Sequence, residues 1–267
     1  MTRRRVIGVD FSGARQAGDH IWIAVGTQAN GRLTLESCRP ARDLPGGARD
    51  RHSALAALRA FLADERRAAA GLDFPFSLPR PLIPETRWVS FLRAFPGRYP
   101  DAESLREACR SAARGRELKR FTDIAARVPF SAYNLRLYRQ THAGIAEVLL
   151  PLVQSDAARV VPIQAPAPGK VLLAETCPAS LLKRLDLYAP YKGREEALRD
   201  RRCALIKKLE NKGLLTEPNK SLSERLVDDR GGDALDAVLA AVVAANLPRL
   251  RGAARDPVER IEGRIYF

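Results

Sequence analysis

Two short apolar runs in this chain each end on an aspartate and then turn at once. Val6-Ile7-Gly8-Val9 leads to Asp10 and the turn Phe11-Ser12-Gly13, and Ala70-Gly71-Leu72 leads to Asp73 and Phe74-Pro75. Runs of this kind, bounded by turn residues, read as strands buried inside a sheet. A carboxylate at the tip of a buried strand is costly unless something positive stands beside it. The repetition therefore constrains both the fold and the chemistry.

The segments around these two runs supply a consistent order. His20 to Thr27 alternates through Ile21, Ile23 and Val25 as a second strand, Asn30-Gly31 marks a tight hairpin, and Arg32 to Cys38 alternates as a third. Ser53 is placed to cap a helix carrying Leu55, Leu58, Phe61 and Leu62 at helical spacing, and Leu72-Asp73 follows as the fourth strand. The order β-β-β-α-β describes an antiparallel meander, then a crossover helix that returns a parallel strand. From Leu78 to Pro168 the pattern loosens, with helices expected near 102–119 and 140–153, the latter carrying Ile145, Val148, Leu149 and Leu152 on one stripe. Val171 to Ala174 predicts a fifth strand ending on Glu175, with Pro178 placed to open a helix. Lys192 to Lys212 is charged and mostly helical. Gly231-Gly232 precedes an apolar helix with Leu235, Val238, Leu239 and Val242, and 262–267 reads as a closing edge strand. The chain is thus expected to form a single α/β domain over 1–267, with its core in 1–76 and 169–267 and a helical insertion at 77–168.

Composition narrows the partners. The 267 residues include 45 Lys and Arg against 31 acids, a net charge of +14, which favours a polyanion, and phosphate backbones are the commonest. The same excess also suits a merely solvated basic surface. Cys38, Cys109, Cys177 and Cys203 are widely spaced with no CxxC pair, so free thiols in a reducing compartment are expected rather than zinc or disulfides. The basic start is followed by an apolar run broken at Asp10, unlike a signal peptide, and Ala237 to Leu247 is too short to span a bilayer. A soluble cytoplasmic protein without membrane contact is the expectation.

Five acids are the candidate catalytic and metal-ligating residues: Asp10, Asp73, Glu175, Asp233 and Asp236. Asp233 and Asp236, three apart, share one helix face, and that face continues through the small residues Ala240 and Ala244, so the helix can lie close to a sheet. Carboxylates brought together cannot all stay ionised without a counter-charge, and Mg²⁺ or Mn²⁺, which take oxygen ligands, would supply one. Each acid also has an ordinary reading. Asp10 and Asp73 suit turns, Asp233 suits a helix N-cap, Asp236 suits the helix dipole, and Glu175 neighbours a helix start. Taken together in this element order, they favour a shared site.

The same order, with an acid on the first strand, an acid on the fourth and a D-x-x-D-A helix near the end, resembles the RNase H-like superfamily. Gly231-Gly232-Asp233-Ala234-Leu235-Asp236-Ala237 resembles the last helix of its Holliday-junction resolvase branch. More narrowly, GVDFSGA at 8–14, GLDFPFSLP at 71–79, AETCPA at 174–179, YKGR at 191–194, GGDALDAVLAA at 231–241 and the terminal EGRIYF resemble a bacterial family of predicted nucleases, domain of unknown function 429. The resemblance implies a five-stranded mixed sheet flanked by helices, with the insertion between strands four and five. It further implies a metal-dependent nuclease acting on DNA or RNA, in which Asp10 bridges two Mg²⁺ or Mn²⁺ ions, Asp73 holds one, and Asp233 or Asp236 completes the site. Ribonuclease H takes its second acid from the crossover helix. Here that helix offers only Asp64 and Glu65 at its far end, so Glu175 either substitutes from the fifth strand or the site has one acid fewer. Junction-cleaving relatives work as dimers, which leaves a homodimer open.

Other readings compete. An actin-like ATPase or sugar kinase shares the strand order and a strand-end Asp, but it needs two copies of the fold, and one is present. A non-catalytic nucleic-acid binder would keep the basic surface but would gain nothing from acids at its centre. His20, His52 and His142 are scattered and suggest no triad. The basic runs Arg110 to Arg120 and Arg199 to Lys208 read equally as solvated helix faces or as a phosphate-contacting rim. Tyr133, Tyr138 and Tyr191 are available for stacking on bases or for packing.

Overall fold

The computed structural model describes residues 4–250, 254 and 256–267. The chain opens with β1 (Arg4–Asp10), the single turn α1 (Ala17–His20), β2 (Trp22–Ala29) and β3 (Arg32–Pro40). Then come α2 (Arg51–Asp64) and β4 (Ala69–Asp73). β2 is antiparallel to both β1 and β3, and Asn30-Gly31 forms the hairpin turn between β2 and β3. α2 starts three residues earlier than Ser53 suggests, because Asp50 is the better acceptor: its carboxylate takes the Ser53 N–H at 2.9 Å. His20 lies in α1 rather than on a strand, and β2 begins only at Trp22.

The middle third contains α3 (Trp88–Arg98), α4 (Ala102–Ala112) and α5 (Phe121–Ala125). α6 (Tyr138–Ala143) runs through a π segment at Gly144–Leu149 into α7 (Leu150–Gln154). This region is not wholly helical, because β5 (Ala158–Val161) lies inside it. β6 (Val171–Thr176), α8 (Pro178–Arg184), α9 (Glu196–Asn211) and α10 (Lys220–Asp228) follow. The long α11 (Asp233–Leu250), the turn α12 (Glu259–Glu262) and β7 (Ile265–Tyr266) complete the chain.

The sheet has seven strands instead of the expected five, in the order β3-β2-β1-β4-β6-β5, with β7 paired to β6. β1, β4, β6 and β5 run parallel, and β7 extends the β5 edge past its end, pairing with Glu175 and Thr176. The two additional strands are four and two residues long; β5 is too short to carry a readable alternation, and β7 falls within the closing edge strand read at 262–267. Their pairing is decided by the neighbouring edge of β6.

Alternating residues of the buried strands feed two cores. Ile7, Val9, Ala70 and Leu72 face α2 and the middle helices, whereas Val6, Ala69, Leu172 and Ala174 face α9, α10 and α11. α11 lies unusually close to the sheet. A Cβ at Gly8 would stand 2.0 Å from the Ala237 carbonyl oxygen, and one at Gly71 would stand 2.6 Å from that of Ala240. Only glycine on the two central strands permits helix and strand backbones to touch. No helix among the described residues is long and apolar enough to cross a membrane.

Candidate functional site

Asp10 and Asp73 are register partners on neighbouring parallel strands, so both carboxylates leave the sheet at its C-terminal edge. In open α/β sheets the crevice beyond that edge is where ligands bind. The glycine-floored contact of α11 brings the start of that helix over the same edge, with Asp233 and Asp236 in its first turn. Asp10 and Asp236 are buried, at 9% and 5% exposure, and Asp73 and Asp233 are partly covered. The ordinary roles open to these acids are filled by others. Asp229 caps the first turn of α11, accepting the Ala234 N–H at 2.8 Å, and Ser12 holds the turn after β1 through the Ala14 N–H at 3.2 Å.

One cation stands among the four acids. Lys192 Nζ lies 2.6 Å from Asp236 Oδ2 and 3.6 Å from Asp233 Oδ1. The Tyr191 hydroxyl donates to the other oxygen of Asp236, and His20 Nδ1 is 3.5 Å from Asp233 Oδ2. Neither Lys192 nor Tyr191 stands out by periodicity, since they sit on an irregular loop. In the sequence, Tyr191 is one of three tyrosines available for stacking and Lys192 opens the charged segment, both within the short YKGR stretch.

The electrostatics follow from this arrangement. Burial, then repulsion from Asp236, Asp73 and Asp233, holds the Asp10 carboxyl well above the usual range despite Lys192. The same two effects push Asp73 up to about 8, and burial raises Asp233. Lys192 is driven in the opposite sense for an amine, upward, because attraction to Asp236 and Asp10 outweighs its desolvation. Burial is the first cause in each of these acids, and it raises Glu175 in the same cleft as well.

Glu175 lines the same cleft but has different company. Its Oε2 accepts from Arg120 Nη1 at 2.8 Å and from the Phe76 N–H at 3.0 Å, while Oε1 pairs with Arg120 Nη2. Arg120, only 1% exposed, also meets Asp123 Oδ1 at 2.7 Å. Glu262, from the terminal motif, accepts the Arg80 and Phe121 N–H groups at 2.7 and 2.6 Å and fixes the start of α5 beside this cluster. The Glu175 carboxylate is thus engaged by a guanidinium, whereas the other four acids share a single ammonium. Arg120 belongs to the basic run noted in the sequence, and its i,i+3 pairing with Asp123 was the available clue.

These two groups of charges lie in one cleft of about 550 Å³, walled on its apolar side by Phe11, Pro129, Phe130 and Leu137. The donor set of Asp10, Asp73, Asp233 and Asp236 is all carboxylate oxygen, which fits a hard divalent cation and no soft one. As they stand, no three His, Cys, Asp or Glu side chains among the described residues are gathered tightly enough to ligate one ion.

A family model described as "Protein of unknown function (DUF429)" matches residues 8–261. No curated protein and no solved structure matches the chain.

Proposed function

We propose that this chain, which belongs to the DUF429 family, is a Mg²⁺- or Mn²⁺-dependent nuclease that cleaves phosphodiester bonds on an RNase H-like sheet. The observation that carries the reading is the register pair Asp10–Asp73, faced across the sheet edge by Asp233 and Asp236, with Lys192 the one ammonium beside them among the described residues and His20 at the Asp233 edge. The strand order, three antiparallel strands continued by parallel ones, supports the RNase H-like assignment. The net charge of +14 supports a nucleic-acid partner, DNA or RNA, because Lys and Arg on the surface gain from displacing counterions along a phosphate backbone.

Asp10, Asp73, Asp233 and Asp236 would hold the cation. When bound, it would supply Lewis acidity at the attacked phosphate. The chain's own residues set the surroundings. Asp10 and Asp236 keep their oxygens in a water-poor corner. The Tyr191 hydroxyl fixes the orientation of Asp236. Arg120 holds Glu175 away from the cluster, and Phe11 and Phe130 form a wall against which a base or ribose can pack.

The test is direct. The purified chain, incubated with single-stranded DNA, duplex DNA, RNA and DNA–RNA hybrid, is expected to cleave at least one of them with Mg²⁺ or Mn²⁺ and none in EDTA. Asp10→Asn is expected to lower that rate roughly 10³-fold, the several kcal/mol that metal charge stabilisation supplies, with an unchanged circular dichroism spectrum. A variant that cuts as well as its parent would remove the assignment.

A further inference from the structure

The loop that delivers Lys192 is braced more heavily than a surface lysine requires. Arg202 on α9 is 1% exposed and makes no ion pair among the described residues. It spends its guanidinium on backbone carbonyls instead: Tyr191 at 2.6 Å, Gly193 at 3.2 Å and Val227 at 2.7 Å. A charge buried against carbonyls alone is a costly way to hold a loop. Two of those three carbonyls flank Lys192 directly. The Gly193 N–H is tied in turn to the Arg230 carbonyl at 2.8 Å. The backbone of Lys192 is therefore fixed, while its side chain, half exposed, ends among the carboxylates.

The placement of the ammonium has a consequence. It sits 2.6 Å from Asp236 and 3.6 Å from Asp233, occupying the space between carboxylates that a divalent cation would need. It is also the cation on which those acids depend when no metal is bound. We propose that Lys192 is a built-in competitor for the metal, released from Asp233 and Asp236 when a divalent cation enters and then available to the phosphate of a bound strand. Metal and nucleic acid would then help each other to bind, because each draws the same ammonium away from, or out of the path of, the other. This inference rests on the metal-dependent reading of the site. It assigns Lys192 a role in setting affinity, not in the chemical step.

Coupling between two sites is commonly about 5–150-fold in affinity, and it must be reciprocal. The measurement is Mn²⁺ binding to the full chain followed by electron paramagnetic resonance of the free ion, with and without a twelve-nucleotide single-stranded DNA, and with the oligonucleotide's own Mn²⁺ uptake subtracted. Lys192→Met is expected to bind Mn²⁺ about tenfold more tightly than the parent without DNA, and to lose the gain that DNA gives the parent. Lys192→Gln provides the same comparison should the methionine variant fail to fold. Two results overturn the inference while leaving the metal site in place: Mn²⁺ binding that is equal or weaker in the variants, or a parent whose Mn²⁺ affinity ignores DNA. A parent that takes up no Mn²⁺ at millimolar concentration removes the metal-dependent reading and this inference with it.

Discussion

Two groups of buried charge lie side by side in one cleft, and they are built on opposite plans. Around Arg120, Glu175 and Asp123 find a guanidinium with the geometry to serve both, and backbone N–H groups satisfy the remaining oxygens. Around Lys192, four aspartates share one ammonium whose side chain is half exposed. The first group is closed in hydrogen bonds, although one guanidinium faces two carboxylates and burial raises the Glu175 carboxyl as well. The second is open: its four carboxylates meet a half-exposed ammonium, and repulsion among them adds to the burial that raises Asp10 and Asp73. Proximity to the cleft does not distinguish the groups. The completeness of their hydrogen bonding does, and it sets Glu175 apart from the four aspartates.

The strongest way to break this comparison is to open the closed group. Arg120→Met leaves Glu175 and Asp123 buried without their cation. Removing one partner of a buried ion pair costs about 3–5 kcal/mol, which lowers the melting temperature by roughly 10 °C in a chain of this size. Thermal unfolding in EDTA measures this directly. An unchanged melting temperature would show that the Arg120 group bears no structural load, and Glu175 would return to the list of candidate ligands.

A smaller effect is expected from Gly8→Ala, which acts on the element that joins the site to the sheet. The added methyl would meet the Ala237 carbonyl at 2.0 Å and the Ala241 nitrogen at 2.2 Å, so α11 must lift. Overpacking of this kind costs typically about 1–3 kcal/mol. The instructive readout is metal binding. Asp233 and Asp236 ride on α11, whereas Asp10 and Asp73 ride on the strands, so the variant should lose Mn²⁺ affinity out of proportion to its lost stability. A variant that is destabilised yet binds Mn²⁺ as the parent does would show that the α11 acids are not ligands.

What the sequence disclosed, and what it withheld, follows the same division. The central strands were legible because β1 and β4 are apolar on both faces and end in the same Asp-turn pattern, and the hairpin because Asn30-Gly31 suits it. α11 was legible from its small and apolar residues. β7 was legible as the closing edge strand at 262–267, although only two residues pair, whereas the four-residue β5 was not, since it exists by virtue of the β6 edge beside it. Within the site, the four aspartates were legible because their positions on strand tips and a helix start are local facts. Lys192 was not, because its contact with Asp236 spans forty-four positions and depends on a loop held by Arg202, which no local pattern records. The engagement of Glu175 was hidden for the same reason: its partner, Arg120, lies fifty-five positions away.

The open group also makes a prediction about pH, the smallest in size. Asp73 has a folded pKa of about 8 against an ordinary value of 3.8. For a carboxyl raised in this way, the folded state holds the proton more tightly than the unfolded one. Its contribution to stability is therefore complete below the unfolded value, near pH 4, and is lost as the pH climbs towards 8. The parent chain in EDTA should then melt at a lower temperature at pH 8 than at pH 5.5. Asp73→Asn removes one of the repelling charges, worth about 1–2 kcal/mol at an effective dielectric near 20, so at pH 8 it should melt roughly 5 °C above the parent. Below about pH 3, where Asp73 is protonated in both states, that difference should close. Saturating Mn²⁺ should raise the parent more at pH 8 than at pH 5.5, because the metal supplies the charge the cluster lacks only where the acids are ionised. A substitution at Glu175 should behave oppositely: Glu175→Gln leaves Arg120 with one partner fewer and should destabilise the chain at pH 8. If Asp73→Asn and Glu175→Gln moved stability in the same direction at that pH, the distinction between an open and a closed group would not hold.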